Sequence, residues 1–220
     1  MEDVASRGRA LVVRHAQSTW NAAGRWQGWS NAPLSEMGES QAAQAGRSLA
    51  ALGVRPQLIA SSDLARARQT AELVAGEFGL GGPIMIEPDL REQDLGEWNG
   101  LTTEEIGSRW PHELEARRQG LFGPVPGGEA AAHFAARAVT AVRRVASEVT
   151  GAGRDAIVVA HGGVLIALEQ ALGTWSPSNR HTNLSGWWVE AWSTPEGIEL
   201  LALRHSDLLA TSPETVTGRG

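Results

Sequence analysis

The sequence contains no cysteine and no lysine, and both absences narrow the chemistry that is open to it. Without cysteine there can be no disulfide, no thiolate nucleophile and no thiolate metal site. All 19 basic residues are arginine, so a lysine Schiff base and a Walker-type phosphate loop are excluded. The formal net charge of -6 gives no overall basic field for nucleic acid or an anionic membrane. An anionic small substrate would have to be bound by local arginines.

Long hydrophobic segments are also absent. No apolar run approaches the ~20 residues that span a membrane. The polar segment 1–9 lacks the apolar core of a signal peptide, so we expect a cytoplasmic protein without a membrane partner. The 220 residues, 42% of them hydrophobic, can bury a substantial core. We expect one domain over 1–220, with its core at about 10–205 and frayed ends from about 206 onwards.

Short apolar runs alternate with amphipathic segments, which predicts an α/β fold. Strands are predicted at 10–13, 58–60, 83–87 and 157–160, and helices at 34–52, 64–78, 102–109, 129–149 and 164–172. This alternation implies a three-layer α/β/α architecture with a mostly parallel central sheet. The cluster Ser61-Ser62-Asp63 is predicted to cap the helix that follows it.

The sequence also predicts a hairpin near the end of the chain and two polar segments close to a site. Segments 184–192 and 198–204 flank a Thr-Pro-Glu-Gly turn and are predicted to pair as a hairpin. The Trp187-Trp188 segment could pair across a homodimer or simply close the sheet. The long loop 18–33 and the segment 110–128 are rich in turn residues, and we expect them to border or cover a site.

Two of the predicted strands end at a histidine. One leads into Arg14-His15 and the other into His161-Gly162. Ligands of open α/β sheets bind beyond the carboxyl ends of the strands, so both histidines are expected at one site. A histidine can act as a nucleophile, and an adjacent arginine offers planar donors for phosphate or carboxylate. A second, protonated histidine would stabilise the same anion, which favours metal-independent phosphoryl transfer to histidine.

Four blocks of sequence resemble, in order, the signature of the histidine phosphatase superfamily, also called the phosphoglycerate mutase-like family. They are Arg14-His15-Ala16, the run from Ser62 to Thr70, Leu90-Arg91-Glu92 followed by Gly96 and Gly100, and His161-Gly162. Together they cover roughly residues 10–190. The resemblance implies a phosphoglycerate mutase-like fold, a small phosphorylated metabolite as substrate, and no cofactor or metal.

The resemblance also implies a role for each matched residue. His15 would become phosphohistidine, and Glu92 would protonate the leaving alcohol and then activate water. The phosphoryl oxygens would be held by Arg14, Arg66 and His161. The expected substrate-binding residues are Asn21, Gln17, Gln27, Gly28 and Gly162.

Some residues depart from the pattern or have no place in it. Ala16 stands where the family usually has glycine, and its methyl would cost about 1 kcal/mol or more if φ were positive. Arg68 is expected to point away from the phosphate, and Arg117 and Arg118 to lie on a solvated helix face. The remaining histidines, His112, His133, His181 and His205, are interpreted as surface or structural residues.

Two activities compete within the family. The short, lysine-free segment between Glu92 and Pro126 resembles the phosphatase branch, which includes glucosyl-3-phosphoglycerate phosphatases. We therefore predict a phosphomonoester hydrolase. The alternative is a 2,3-bisphosphoglycerate-dependent phosphoglycerate mutase, because the Arg117-Arg118 pair lies near the place where mutases carry an arginine pair. A non-catalytic phospho-ligand binding protein is a third hypothesis, and the retention of His15 and Glu92 disfavours it.

Overall fold

The computed structural model describes residues 7–119, 124–151, 155–179 and 181–209, and these contain a six-stranded central sheet. The strands are β1 (Gly8–Arg14), β2 (Pro56–Ser61), β3 (Met85–Ile86), β4 (Asp155–Ala160), β5 (Ser185–Thr194) and β6 (Gly197–Asp207). Their spatial order is β3-β2-β4-β1-β5-β6. Neighbours from β3 to β1 are parallel, whereas β5 and β6 are antiparallel to their neighbours. The predicted mostly parallel α/β architecture is confirmed.

Helices cover both faces of this sheet. They are α1 (Thr19–Ala22), α2 (Glu36–Ala51), α3 (Ala65–Glu77), α4 (Thr103–Arg109), α5 (Pro111–Arg118), α6 (Ala131–Ser147) and α7 (Gly162–Ala171). Side chains alternate along β1, so Val12 packs towards α6 and α7, while Leu11 and Val13 pack towards α2 and α3. Every residue of β4 is buried. A strand covered on both faces accounts for the continuous apolar runs before His15 and His161.

The segment after Glu92 folds over a small core of its own. Trp98, Ile106 and Leu114 are buried together there, and the Trp26 ring meets the Trp98 ring edge to face at 5.6 Å between centroids. The sequence analysis placed Arg117 and Arg118 on a helix face but gave no bounds for helix α5. It begins with Pro111, whose fixed φ suits the first helical position. The predicted covering segment is thus a packed substructure, of which residues 120–123 lie outside the described ranges.

Several boundaries differ from the sequence-based prediction. Strand β3 has two residues, and β6 continues to Asp207, so the chain is ordered into a strand at 206, where fraying was predicted to start. Residues 210–220 lie outside the described ranges. The predicted cap from Ser61-Ser62-Asp63 is wrong: the N-cap of α3 is Leu64, which makes no side-chain cap. Instead Asn31, from the loop 18–33, accepts the Ala65 N–H at 2.7 Å.

The closing hairpin is confirmed. Strands β5 and β6 pair antiparallel from Ser185↔Asp207 to Thr194↔Gly197, with one bulge after Trp188. β5 also pairs with β1 on its other side, so the hairpin closes one side of the sheet. Within the described ranges, no helix combines the length and the apolar character needed to cross a bilayer.

Candidate active site

A cavity of about 370 Å³ opens beyond the carboxyl ends of β1 and β4. Eight of the ten predicted site residues line it: Arg14, His15, Asn21, Gln27, Gly28, Arg66, Glu92 and Gly162. His161 lies directly behind His15, with 5.2 Å between the ring centroids. Parallel strands, the loop 18–33 and the segment after β3 therefore converge on one site, as the positions of the two histidines predicted.

His15 is buried and has a partner at each ring nitrogen. Its Nδ1 lies 2.6 Å from the Ala16 carbonyl, and its Nε2 lies 3.1 Å from Nε of Arg66. A carbonyl can only accept, so the proton belongs on Nδ1 and the lone pair on Nε2. Burial, and then the positive charges of Arg66 and Arg14, hold the pKa of His15 well below its usual value. At neutral pH the imidazole is therefore neutral, which a nucleophile requires.

Two arginines lie close to His15. Arg66, in the first turn of α3, donates to the Ser30 carbonyl at 2.7 Å and to the Gly28 carbonyl at 2.9 Å. Burial lowers the pKa of Arg66 to about 10, which leaves it charged at neutral pH. Arg14 donates to the His181 carbonyl at 2.5 Å. Their planar donors and their charge suit a phosphoryl group next to His15.

His161 is fully buried, and its environment differs from the one we expected. Its Nε2 is 2.7 Å from Oγ of Ser62, and its Nδ1 has no hydrogen-bond partner among the described residues. Burial, followed by the nearby charge of Arg66, lowers the pKa of His161 well below its usual value. The protonated second histidine suggested by the sequence is thus disfavoured. A neutral ring that shares one hydrogen bond with Ser62 fits this site better.

Glu92 is held by backbone donors. Its Oε1 accepts the Gln93 N–H at 2.9 Å, and its Oε2 accepts the Gly163 N–H at 3.0 Å. Gly163 has no room for a side chain, because a Cβ there would lie 2.0 Å from Oε1 of Glu92. The sequence analysis did not assign a role to Gly163, although the His-Gly-Gly run marks a close approach of backbone to the site.

Asn21 lines the cavity, and its amide oxygen is already occupied. Its Oδ1 already accepts from the Ser18 N–H at 3.2 Å and from Nδ2 of Asn183 at 3.3 Å. Nδ2 of Asn21 is therefore the donor that can meet a substrate oxygen. Asn183 also donates to the His15 carbonyl at 2.8 Å, so it links His15 to Asn21. Asn183 follows no predicted strand and was missed by the sequence analysis.

The remaining predicted binding residues divide into two groups. Gln27 and Gly28 form part of the cavity wall, and Gly28 has φ +45° with no space for a Cβ beside Asn99. Gly162 lies against Arg14. Gln17 is not among the residues that line the cavity; its Oε1 accepts from Oγ of Ser35 at 2.8 Å, at the start of α2.

The structure places Arg117 and Arg118 in different environments. Arg118 is exposed and lies 3.7 Å from Glu115, as expected of a solvated face. For Arg117 the prediction is wrong: it lines the cavity, lies 5.9 Å from the centroid of the Trp26 ring, and donates to Oε1 of Gln93. Burial lowers its pKa. Its position arises from the folding of α5, for which the sequence analysis gave no bounds.

The structure also tests what the sequence analysis expected of Arg68, His181 and Ala16. Arg68 is exposed, lies 3.5 Å from Glu72 and is not among the residues that line the cavity. His181 was interpreted as a surface or structural residue, yet it lines the cavity, and its Nε2 is 3.0 Å from Oε1 of the buried Glu169. Among the described non-glycine residues only Leu184 has a positive φ, so the methyl of Ala16 carries no backbone strain.

In the described part of the chain, no three His, Asp or Glu side chains are grouped so that they could hold a metal ion. The positive charge of the site is supplied by arginines. Arg14 and Arg66 flank His15, and Arg117 lies towards the side of the cavity that Trp26 lines.

Comparison with known proteins gives consistent results. The family model described as the histidine phosphatase superfamily (branch 1) matches residues 10–190. A glucosyl-3-phosphoglycerate phosphatase of Mycolicibacterium vanbaalenii is 36% identical over 169 residues, covering 74% of this chain and 73% of the relative. A 2,3-bisphosphoglycerate-dependent phosphoglycerate mutase of Methylobacterium radiotolerans is 37% identical over 164 residues, covering 74% and 77%. The vanadate complex of a mycobacterial glucosyl-3-phosphoglycerate phosphatase matches with a TM-score of 0.73 at 33% identity, covering 90% of this chain and 97% of that one.

Proposed function

Because the chain belongs to branch 1 of the histidine phosphatase superfamily, we propose that this cavity hydrolyses a phosphomonoester through a phosphohistidine at His15. The observation that carries the proposal is the state of His15. Its Nδ1 is fixed on the Ala16 carbonyl, while its Nε2 lone pair faces the positively charged Arg66. A neutral nucleophile beside fixed cations is what attack on a phosphoryl group needs.

In the first step, Nε2 of His15 attacks phosphorus, an N–P bond forms, and the bond from phosphorus to the ester oxygen breaks. Arg14 and Arg66 stabilise the charge on the non-bridging oxygens. Glu92, on the cavity wall, gives its proton to the departing alkoxide. Each oxygen of Glu92 accepts one backbone N–H and keeps a second lone pair that can carry this proton.

In the second step, water replaces the alcohol. Glu92, now ionised, takes a proton from the water, whose oxygen attacks phosphorus while the N–P bond breaks. Inorganic phosphate leaves, Nε2 of His15 recovers its lone pair, and Glu92 is again protonated. No metal takes part in either step.

We propose that the substrate is a small phosphorylated metabolite with a second anionic group. Arg117 is the reason, since it lines the same cavity as Arg14 and Arg66 yet packs against Trp26. A phosphoglycerate, with a carboxylate in addition to its phosphoryl group, would satisfy both sets of charges. The relatives named glucosyl-3-phosphoglycerate phosphatases support this class, and Trp26 offers an apolar surface for the rest of the molecule.

Arg117 and the mutase relatives favour one alternative, a phosphoglycerate mutase that passes the phosphoryl group to a phosphoglycerate instead of to water. Both activities would use the same phosphohistidine. They differ in the acceptor, so product analysis separates them.

The test is phosphate release, in the presence of EDTA, from a panel that includes 3-phosphoglycerate, its glucosylated form and sugar phosphates. A parallel assay follows 2-phosphoglycerate formation with added 2,3-bisphosphoglycerate. We expect release to be unaffected by EDTA and to fall to background in His15→Ala. The control is His112→Ala, which changes an exposed histidine and should retain wild-type rates. Isomerisation faster than release would assign the mutase activity instead, and wild-type rates in His15→Ala would refute the nucleophile.

A further inference from the structure

One buried ion pair outside the cavity contacts the polypeptide that carries Glu92. Arg137 of α6 donates from Nε and Nη2 to the two carboxylate oxygens of Glu129, both at 2.7 Å. Only 10% of the Arg137 side chain and 9% of the Glu129 side chain are exposed. Neither residue lines the cavity. A buried ion pair carries a large desolvation cost and is weak evidence of a purely stabilising role.

The other donors of Arg137 bind the backbone next to Glu92. Nη1 donates to the carbonyls of Asp89 at 2.7 Å and Arg91 at 2.9 Å, and Nη2 donates to the carbonyl of Glu92 itself at 2.9 Å. Asp89 lies in one short 3₁₀ turn, Arg91 and Glu92 lie between that turn and the next, and none of the three belongs to a strand or long helix. Their carbonyls therefore depend on such partners, and the rigid fork of an arginine can bind three of them at once.

Glu129 binds the same segment on the other side of Glu92. Its N–H donates to the Asp94 carbonyl at 2.9 Å, and its carbonyl accepts from Nε2 of Gln93 at 2.8 Å. Arg137 and Glu129 thus hold the chain both before and after Glu92. With the backbone held in this way, the Glu92 carboxylate accepts a hydrogen bond from the Gly163 N–H.

The charge state of the pair agrees with this arrangement. Burial raises the pKa of Glu129, but hydrogen bonds and charge from Arg137, with a further hydrogen bond from His133, outweigh it, and the net shift is downward. Glu129 is therefore ionised at neutral pH. Its two oxygens can then accept both N–H groups from one guanidinium, which fixes the orientation of the fork.

We propose that the Glu129–Arg137 pair positions Glu92 for proton transfer to the leaving group. The proposal rests on the proposed function, since it requires Glu92 to be the general acid. Arg137 and Glu129 are positioning residues. They contact the backbone around Glu92 and act on the substrate only through the carboxyl group of Glu92.

The test compares two substrates that differ in their need for an acid. The 3-phosphoglycerate alkoxide must be protonated as it leaves, whereas p-nitrophenolate leaves without a proton. The value of kcat/KM is measured for both, because it reports phosphohistidine formation and excludes the later hydrolysis. Arg137→Lys keeps the charge beside Glu129 but cannot supply the same set of donors. Glu129→Gln is an isosteric second variant, and thermal unfolding confirms that each variant is folded.

We expect Arg137→Lys and Glu129→Gln to lower kcat/KM for 3-phosphoglycerate by about 10- to 100-fold, since a misplacement of about 1 Å can cost about a hundredfold. For p-nitrophenyl phosphate we expect a change of less than about threefold, because no general acid is needed there. Glu92→Gln should show the same selectivity with a larger effect. The matched control is Arg144→Lys, two turns along α6, where the arginine contacts only the side chains of Glu87 and Asp89 in this segment. It should leave both substrates unchanged.

The outcomes are distinguishable. Equal losses on the two substrates in Arg137→Lys and Glu129→Gln, or no loss on either, would overturn the positioning role while leaving the phosphatase intact. Loss of selectivity in Glu92→Gln would overturn Glu92 as the acid and this proposal with it. Failure of the unchanged protein to release phosphate from these two compounds and from every other member of the substrate panel would refute the proposed function itself.

Discussion

At the scale of single residues, the site depends as much on backbone groups as on the side chains that carry the chemistry. Glu92 is bound by two N–H groups, Arg66 by two carbonyls of the loop 18–33, and His15 by its neighbour's carbonyl. Its place at the end of a buried strand reveals His15 from the sequence alone, whereas Arg66 and Glu92 are indicated only by the family resemblance. Sequence patterns do not reveal Gly163 or Asn183, whose roles exist only once distant segments meet.

Gly163 allows a sharp test of this backbone contribution. Gly163→Ala would place a methyl group 2.0 Å from Oε1 of Glu92 and 3.0 Å from the Phe134 ring, so the carboxylate must move. We expect kcat/KM for an alkyl phosphate to fall by about tenfold or more. The measurement is steady-state phosphate release.

Gly162→Ala is the comparison for that experiment. A methyl group at Gly162 would meet Arg14 at 3.8 Å, which is an ordinary contact. The loss should therefore be clearly smaller than in Gly163→Ala. Similar losses in both variants would argue against displacement of Glu92 as the cause.

At the scale of elements, the strands and long helices follow from hydrophobic pattern, whereas their junctions do not. Strand β1 and helix α6 lie close to their predicted positions because each has an apolar face that local sequence displays. The cap of α3 comes instead from Asn31, 34 residues away from Ala65. Helix α5 and the cavity position of Arg117 depend in the same way on packing around Trp98 that only the folded chain provides.

The cap of α3 links helix stability to the site. Asn31→Ala should lower the free energy of unfolding by about 1 kcal/mol, the usual loss for a removed N-cap. It should also raise KM, because the same loop supplies the carbonyls of Gly28 and Ser30 that orient Arg66. Urea denaturation and phosphatase kinetics measure the two effects.

The matched control for the cap is Ser35→Ala. Ser35 caps α2 with its own side chain, at the Gly38 N–H, and does not contact Arg66. A similar loss of stability with unchanged KM is expected there. If KM is unchanged in Asn31→Ala as well, the loop 18–33 orients Arg66 without the hydrogen bond between Asn31 and Ala65.

At the scale of the whole molecule, the two buried histidines tie stability to pH. Both His15 and His161 have pKa values well below the usual one of about 6.5. Above about pH 6.5 each is neutral in the folded and the unfolded chain, so neither contributes. As the pH falls below that value, the unfolded chain takes up protons that the folded chain does not, and stability is lost.

We therefore expect the free energy of unfolding to fall between about pH 6.5 and 5, by up to about 1.4 kcal/mol per pH unit for each histidine. Denaturant titrations at a series of pH values measure the slope. The variants His15→Asn and His161→Asn should each reduce it, whereas His112→Asn, at an exposed position, should not. A slope that is the same in all four proteins would contradict neutral burial of the two histidines.

The place of β1 in the sheet has a consequence for the order of events during synthesis. Its two neighbours are β4 and β5, and the pairing of Arg9 with Asp155 spans 146 residues. A growing chain therefore carries β1, which leads into His15, with both hydrogen-bonding edges open until β4 and β5 have emerged from the ribosome. Contacts of such long range also slow folding. Nascent chains that stop before β4 should hence be prone to aggregation and to chaperone binding, and catalytic competence should arise only after β4 and β5 have been synthesised.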